Sequence, residues 1–162
     1  MKLPQRKRNR LLHYDYSSNG AYFVTICTNG RRKLLCDIDT VGDGFPVPKS
    51  AGIIAAEMIE AINSKYPAVS VDNFVVMPNH IHLLLRIEQA GGTGNPSPTL
   101  GMVVGWYKYQ TTKRIREKLG IKERIFQRSY HDHVIRGQAD YDMIWQYICN
   151  NPLNWEKDCF FC

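Results

Sequence analysis

The residues best suited to chemistry lie in the stretch Phe74-Val75-Val76-Met77-Pro78-Asn79-His80-Ile81-His82-Leu83-Leu84-Leu85. On a strand, side chains alternate between faces, so His80 and His82 project together, about 6.5–7 Å apart at the backbone, while Ile81 enters the other face. Two imidazoles at that spacing can converge on one divalent cation. Histidines satisfied inside an apolar hairpin are the competing reading, and the spacing leaves both open. A second pair, His131 and His133, brackets Asp132 near the end of its expected strand and ranks below the first as a metal site. His133 stays a secondary candidate for phosphate or ligand contact.

Tyr147 and Asn151 stand four residues apart, which on a helix makes them neighbours roughly 6 Å apart. A tyrosine hydroxyl can act as a covalent nucleophile, and an amide oxygen can complete an oxygen-and-imidazole metal shell. The same residues also fit an ordinary packed face with Ile144 and Ile148, ending at Asn151 before Pro152. Cys159 and Cys162 form a C-x-x-C with no second half nearby except Cys149, which is weak support for zinc. Five irregularly spaced cysteines argue against a disulfide framework and for a reducing cytoplasm.

These residues need elements to hold them. Residues 21–28 (AYFVTICT) read as a strand closed by Asn29-Gly30. Residues 36–50, with two glycines and two prolines, read as a loop or loose hairpin. Ser50 is expected to cap a helix to about residue 65, with Ile53, Ile54, Met58 and Ile62 at helical spacing. Residues 72–77 and 80–87 form two apolar runs broken by Pro78-Asn79, which predicts a central hairpin. Residues 89–98 read as a linker, and Thr99 as the cap of a helix from about 100 to 118. A strand over 129–136 and a helix over about 139–150 complete the order. Strand, helix, strand, strand, helix, strand, helix predicts an α+β fold. Its form is a ferredoxin-like or RRM-like antiparallel sheet with helices on one face, plus an added C-terminal helix carrying the tyrosine. The organisation is expected to be a basic tail over 1–20, one domain over 21–158 and a short tail over 159–162.

The 162 residues carry a formal net charge of +6, unevenly placed. Residues 1–10 hold five basic groups and no acid, and residues 107–128 hold eight basic groups against Glu117 and Glu123, leaving the remainder mildly acidic. Clustered Lys and Arg gain most by displacing counterions from phosphates, which points to a polyanionic partner; a solvated basic helix is the alternative. No apolar run approaches the roughly 20 residues that span a bilayer, so no membrane association is expected. No apolar segment follows the basic N-terminus, so no secretory signal is expected.

Taken together, the chain resembles the single-tyrosine HUH transposases, most closely their REP-associated tyrosine transposase branch, over about residues 22–155. The landmarks are Val24-Thr25-Ile26-Cys27-Thr28, the block 74–82, Thr112-Lys113-Arg114-Ile115 and Phe126-Gln127-Arg128-Ser129-Tyr130. Asp132-His133-Val134-Ile135-Arg136 and Tyr147-Ile148 with Asn150-Asn151-Pro152 complete the set. The resemblance implies that His80 and His82 bind Mg²⁺ or Mn²⁺, that Asn151 supplies a third ligand where many relatives use Gln, and that Tyr147 is the nucleophile. It further implies cleavage and transfer of hairpin-bearing single-stranded DNA through a 5′-phosphotyrosine, as a homodimer or a monomer in a bacterial-type, nucleoid-associated cytoplasm. Lys113, Arg114, Arg116, Arg128 and Arg136 would contact the DNA. The alternatives are a noncatalytic or decayed nucleic-acid binder of the same fold, and a metal nuclease in which water attacks.

Overall fold

Alternating aromatic and β-branched residues in GAYFVTIC form strand β1 (Gly20–Cys27), with Tyr22, Val24 and Ile26 fully buried on one face. The computed structural model describes residues 19–38, 44–88 and 97–160. Most of the expected basic tail, residues 89–96 of the expected linker, and Cys162 of the C-x-x-C therefore lie outside the described residues. The 36–50 stretch does form a small hairpin, β2 (Cys36–Ile38) paired antiparallel with β3 (Pro46–Pro48).

Helix α1 (Ser50–Lys65) has the expected span but not the expected cap. Lys49 occupies the capping position with no side-chain capping bond, and Ser50 is already helical. The N-terminus is held from outside instead. The Leu35 carbonyl accepts the Lys49 amide at 2.9 Å, and Gly52 in the first turn lies hard against that same carbonyl. Strand β4 (Val69–Val76) begins three residues earlier than expected and carries an irregularity between Val71 and Asn73. After the Pro78-Asn79 turn, β5 (His80–Ile87) is buried at nearly every position. Helix α2 (Leu100–Leu119) starts at the expected cap, where the Thr99 side chain accepts the Met102 amide at 3.2 Å. It ends at Gly120 in the left-handed conformation, φ 69°. Strand β6 (His131–Val134) is shorter than expected, because it pairs only with Tyr22 to Thr25 of β1. Helix α3 (Gln138–Asn150) closes the order, followed by a 3-10 segment, Pro152–Lys157.

Among the described residues the main sheet has the order β4-β5-β1-β6, all neighbours antiparallel, which is the ferredoxin-like arrangement. One face packs on α1 and α2 through Val24, Ile26, Ile81, Leu83, Leu85, Ile59, Val103 and Tyr107. The opposite face carries Phe23, whose ring lies 5.8 Å from that of Tyr147 on α3. The fold of the described residues is therefore α+β, with α1 and α2 on one sheet face and the added helix on the other. Among the described residues no helix is long and apolar enough to cross a membrane.

The contact at Gly52 gives a direct test. A Cβ at this position would overlap the Leu35 backbone oxygen, which cannot withdraw without losing its bond to Lys49. Gly52→Ala is expected to destabilise the protein by about 3 kcal/mol, near the upper end for overpacking, read from a denaturant unfolding midpoint. Gly105→Ala, where a Cβ meets nothing within 4 Å, is expected to leave the midpoint unchanged or raise it.

Candidate active site

The centre of the α3-side face is made by β5 and its partner strand. Register pairs His82 with Thr25 and His80 with Cys27 across β1 and β5, and the period-two alternation puts both rings on the face away from Ile81. Both histidines are buried, at 0% and 1% exposure. Their Nε2 atoms face one another at 3.0 Å.

The far nitrogens are held by neighbours. Asn79, fully buried in the turn, donates through Nδ2 to the Phe160 carbonyl at 2.8 Å, which leaves its Oδ1 to accept from His80 Nδ1–H at 2.9 Å. His80 Nε2 then carries a lone pair. His82 Nδ1 lies 2.9 Å from the Thr25 hydroxyl, which can donate or accept. His82 can thus offer its own Nε2 as a donor to His80, or, with the hydroxyl turned, as a second lone pair. Burial lowers the His80 pKa to about 4, with Arg31 also lowering it and Asp158 opposing. Burial, then the neighbouring His80, holds His82 well below the usual histidine range. Both imidazoles are neutral at pH 7, the form that ligates metal.

A carboxylate completes the cluster. The Asp158 side chain is 1% exposed, and its Oδ2 lies 3.8 Å from His80 Nε2. His80, His82 and Asp158 offer one ligand atom each, all within 4.8 Å of one another. Asp158 is held by the Phe160 amide, which donates to Oδ1 at 2.7 Å, and by Asn151 Nδ2, which donates to Oδ2 at 2.9 Å. Asn151 is buried, and its Oδ1 has no hydrogen-bond partner among the described residues. Asn151 also lies near enough to His80 to favour the protonated ring. Two imidazole nitrogens, a carboxylate and an orphaned amide oxygen form the donor set that a hard or borderline divalent cation takes.

Tyr147 borders this cluster from α3. Its ring is 5.3 Å from His82, and its hydroxyl donates to Asp158 Oδ2 at 3.4 Å. Tyr147 itself is 41% exposed, so part of its side chain reaches the surface. Partial burial and the Asp158 carboxylate push the Tyr147 pKa up to about 12. The helix itself is pinned at its other end. At the β4 irregularity Asp72 accepts Tyr141 Oη at 2.8 Å and Arg86 Nε at 2.7 Å, tying α3 to β4 and β5.

The sequence-predicted residues thus divide. His80, His82, Asn151 and Tyr147 are brought together within one chain. His133 is drawn elsewhere: its Nε2 lies 2.9 Å from Asp140 Oδ2, which also accepts the Arg136 amide at 2.9 Å, so it fastens the junction between β6 and α3. Lys113, Arg114 and Arg116 are exposed on α2, which packs on the other sheet face, and Lys113 pairs with Glu117 at 4.0 Å. Arg128 and Arg136 are exposed on the two sides of β6. Asp158 was missed. It follows the helix by eight residues, with no periodicity relating it to the histidines, and reaches them because Pro152 starts a 3-10 segment whose Trp155 is buried beside His80, rings 6.0 Å apart. Phe160, expected to lie in a tail, packs its ring at a tilt against His80, 4.7 Å between centroids.

Known proteins share both sequence and fold with this chain. The profile of the family described as "Transposase IS200 like" matches residues 16–151. An uncharacterized protein of Haemophilus influenzae strain Rd is 34% identical over 168 residues, covering 94% of this chain and 91% of that protein. A solved REP-associated tyrosine transposase bound to a REP hairpin superposes with a TM-score of 0.60 at 20% identity, covering 90% of this chain and 74% of that one. Asp158 lies beyond the residues that the family profile matches.

The neutral histidines set a pH dependence for the cation-free protein. Unfolded, both rings take up protons below about pH 6.5, whereas the native state keeps them bare down to about 4 for His80 and lower than normal for His82. The unfolded state therefore binds more protons in that window, and stability falls as pH drops from about 6.5 towards 4. Urea midpoints measured in chelator across this range should fall, and His82→Gln should flatten the slope.

Proposed function

Because this chain belongs to the IS200-like transposase family, we propose that it cuts and rejoins hairpin-bearing single-stranded DNA. Tyr147 is the nucleophile, and Mg²⁺ or Mn²⁺ is held by His80, His82 and Asp158 with the Asn151 amide oxygen. The observation that carries this reading is the meeting, in one chain, of a buried histidine pair, a carboxylate and a partly exposed tyrosine whose hydroxyl donates to that carboxylate. The hairpin specificity is drawn by analogy from the solved relative, which is bound to a REP hairpin.

In the reaction, Tyr147 Oη attacks a backbone phosphorus. The bond from phosphorus to the 3′ oxygen breaks, that oxygen leaves with a proton as a 3′-OH, and the 5′ phosphate stays on the tyrosine. Rejoining runs in reverse with another 3′-OH, so the phosphoester energy is kept and no nucleotide triphosphate is needed. Asp158 lies where it can accept the Tyr147 proton, since its Oδ2 already accepts the hydroxyl. Alone, its charge also holds that proton on the oxygen. A bound divalent cation would offset this charge and polarise the scissile phosphate. Asn79 and Thr25 keep both Nε2 atoms turned inward, so the site is preorganised. A monomer contains every group named, because Tyr147 sits on its own chain's His82.

Incubation with hairpin oligonucleotides bearing single-stranded flanks is expected to yield a covalent protein-DNA adduct with Mn²⁺ or Mg²⁺ and none in EDTA. Tyr147→Phe should abolish the adduct; retained cleavage in that variant would indicate attack by water. Asp158→Asn, which keeps the shape and loses the charge, is expected to weaken Mn²⁺ binding about 10- to 100-fold by calorimetry. An unchanged affinity would return the third ligand to Asn151 alone.

A further inference from the structure

Beyond the site itself, the chain builds a basic concavity that the reaction does not use. Gly120 reverses the chain after α2, and residues 124–128 run back beside the helix. They are held at both edges. Lys108 Nζ donates to the carbonyls of Gln127, Arg128 and Ser129 at 2.6, 3.2 and 3.4 Å. On the other side, the Asn29 amide donates to Ile125 O at 2.7 Å, and the Gln127 amide to Cys27 O at 2.9 Å. Between helix and segment lies a cavity of about 290 Å³.

Its lining is selective in type. Ile125 and Phe126 are buried beneath it, and Arg116, Arg124 and Arg128 are exposed around it. No carboxylate is among the lining residues. Among the described residues, no acid forms an ion pair with these three arginines. Tyr109 contributes a ring that is 65% exposed, although an aromatic side chain is stabilised by burial. Guanidinium groups without acidic partners are suited to phosphate, and an exposed aromatic ring beside them to the face of a base. Lys108 is committed to carbonyls, so it shapes the cavity and adds charge rather than reaching outward.

The cavity adjoins the reactive site through β1. The residues after Cys27 bond to the 124–128 segment on one side, while Thr28 donates its amide to Asn79 O at 2.9 Å, next to His80. Arg31 stands over the Phe160 ring at 5.6 Å, which itself covers His80. The 124–128 segment and the turn beside His80 are thus bonded to neighbouring residues at the end of β1.

We propose that this cavity is a nucleotide subsite that takes one unpaired nucleotide of the DNA flanking the cleaved bond, its base on Tyr109 and its phosphate on Arg124 and Arg128. The proposal rests on the DNA substrate argued above. It assigns to residues 108–128 the reading of a single-stranded flank, distinct from general attraction to duplex phosphates.

The test is binding in EDTA, by fluorescence anisotropy, of two labelled oligonucleotides: a hairpin with single-stranded flanks and the same hairpin with none. Tyr109→Ala is expected to weaken the flanked hairpin roughly tenfold and leave the blunt one unchanged, with Tyr109→Phe restoring affinity. Scanning the flank with abasic sites should find one position whose loss weakens wild type roughly tenfold but leaves Tyr109→Ala unaffected. No change in Tyr109→Ala, or equal weakening on both oligonucleotides, would overturn the subsite while leaving the cleavage reaction standing. Failure of the wild-type protein to bind either oligonucleotide would overturn both.

Discussion

Everything in the site depends on two buried imidazole nitrogens facing each other at 3.0 Å. Without a cation they coexist only if one donates to the other, and with both lone pairs inward they repel unless a positive charge lies between them. Asn79 leaves His80 one tautomer, and the Thr25 hydroxyl lets His82 take either. The pair is thus tuned at a single proton, in surroundings too dry for either ring to be charged at neutral pH. Placing this pair on a central strand gives it stiff backing. Ile81 between the two histidines is fully buried in the α1 and α2 layer, and β5 is bonded on both edges.

The opposite requirement governs the proposed nucleophile. A tyrosine proposed to reach a macromolecular backbone and carry it covalently cannot be sealed in, and Tyr147 on α3 is partly exposed. The price is weak packing, since Ile148 is the one fully buried side chain among the helix's described residues. Polar links compensate: Tyr141 with Asp72 near the helix start, and Asp140 with His133 at its junction with β6. His133 is therefore engaged in fastening the helix at its junction with β6.

Charge is divided in the same way. The candidate cation cluster is buried and lined by neutral rings and one carboxylate, whereas Arg114, Arg116, Arg124 and Arg128 sit exposed on α2 and the segment returning from it. Desolvated cations near the histidines would compete with a metal, and exposed ones at a distance can hold phosphates without doing so.

Local chemistry was enough to specify much of this. Period-two alternation determined that His80 and His82 share a face, and helical spacing that Tyr147 and Asn151 do; the apolar runs and turns determined the element order. These are properties of neighbouring residues. Tertiary structure decided the rest. That Asn151's oxygen lacks a partner, that His133 pairs with Asp140, and that β4 carries an irregularity aiming Asp72 at α3 all depend on what lies across the fold. Asp158 is the sharpest case: its distance from His80 in sequence carries no periodic signal, and only the 3-10 turn after Pro152, anchored by buried Trp155, delivers a carboxylate to the histidines. Periodicity reports which face a side chain takes within an element, and long-range packing determines what that face meets.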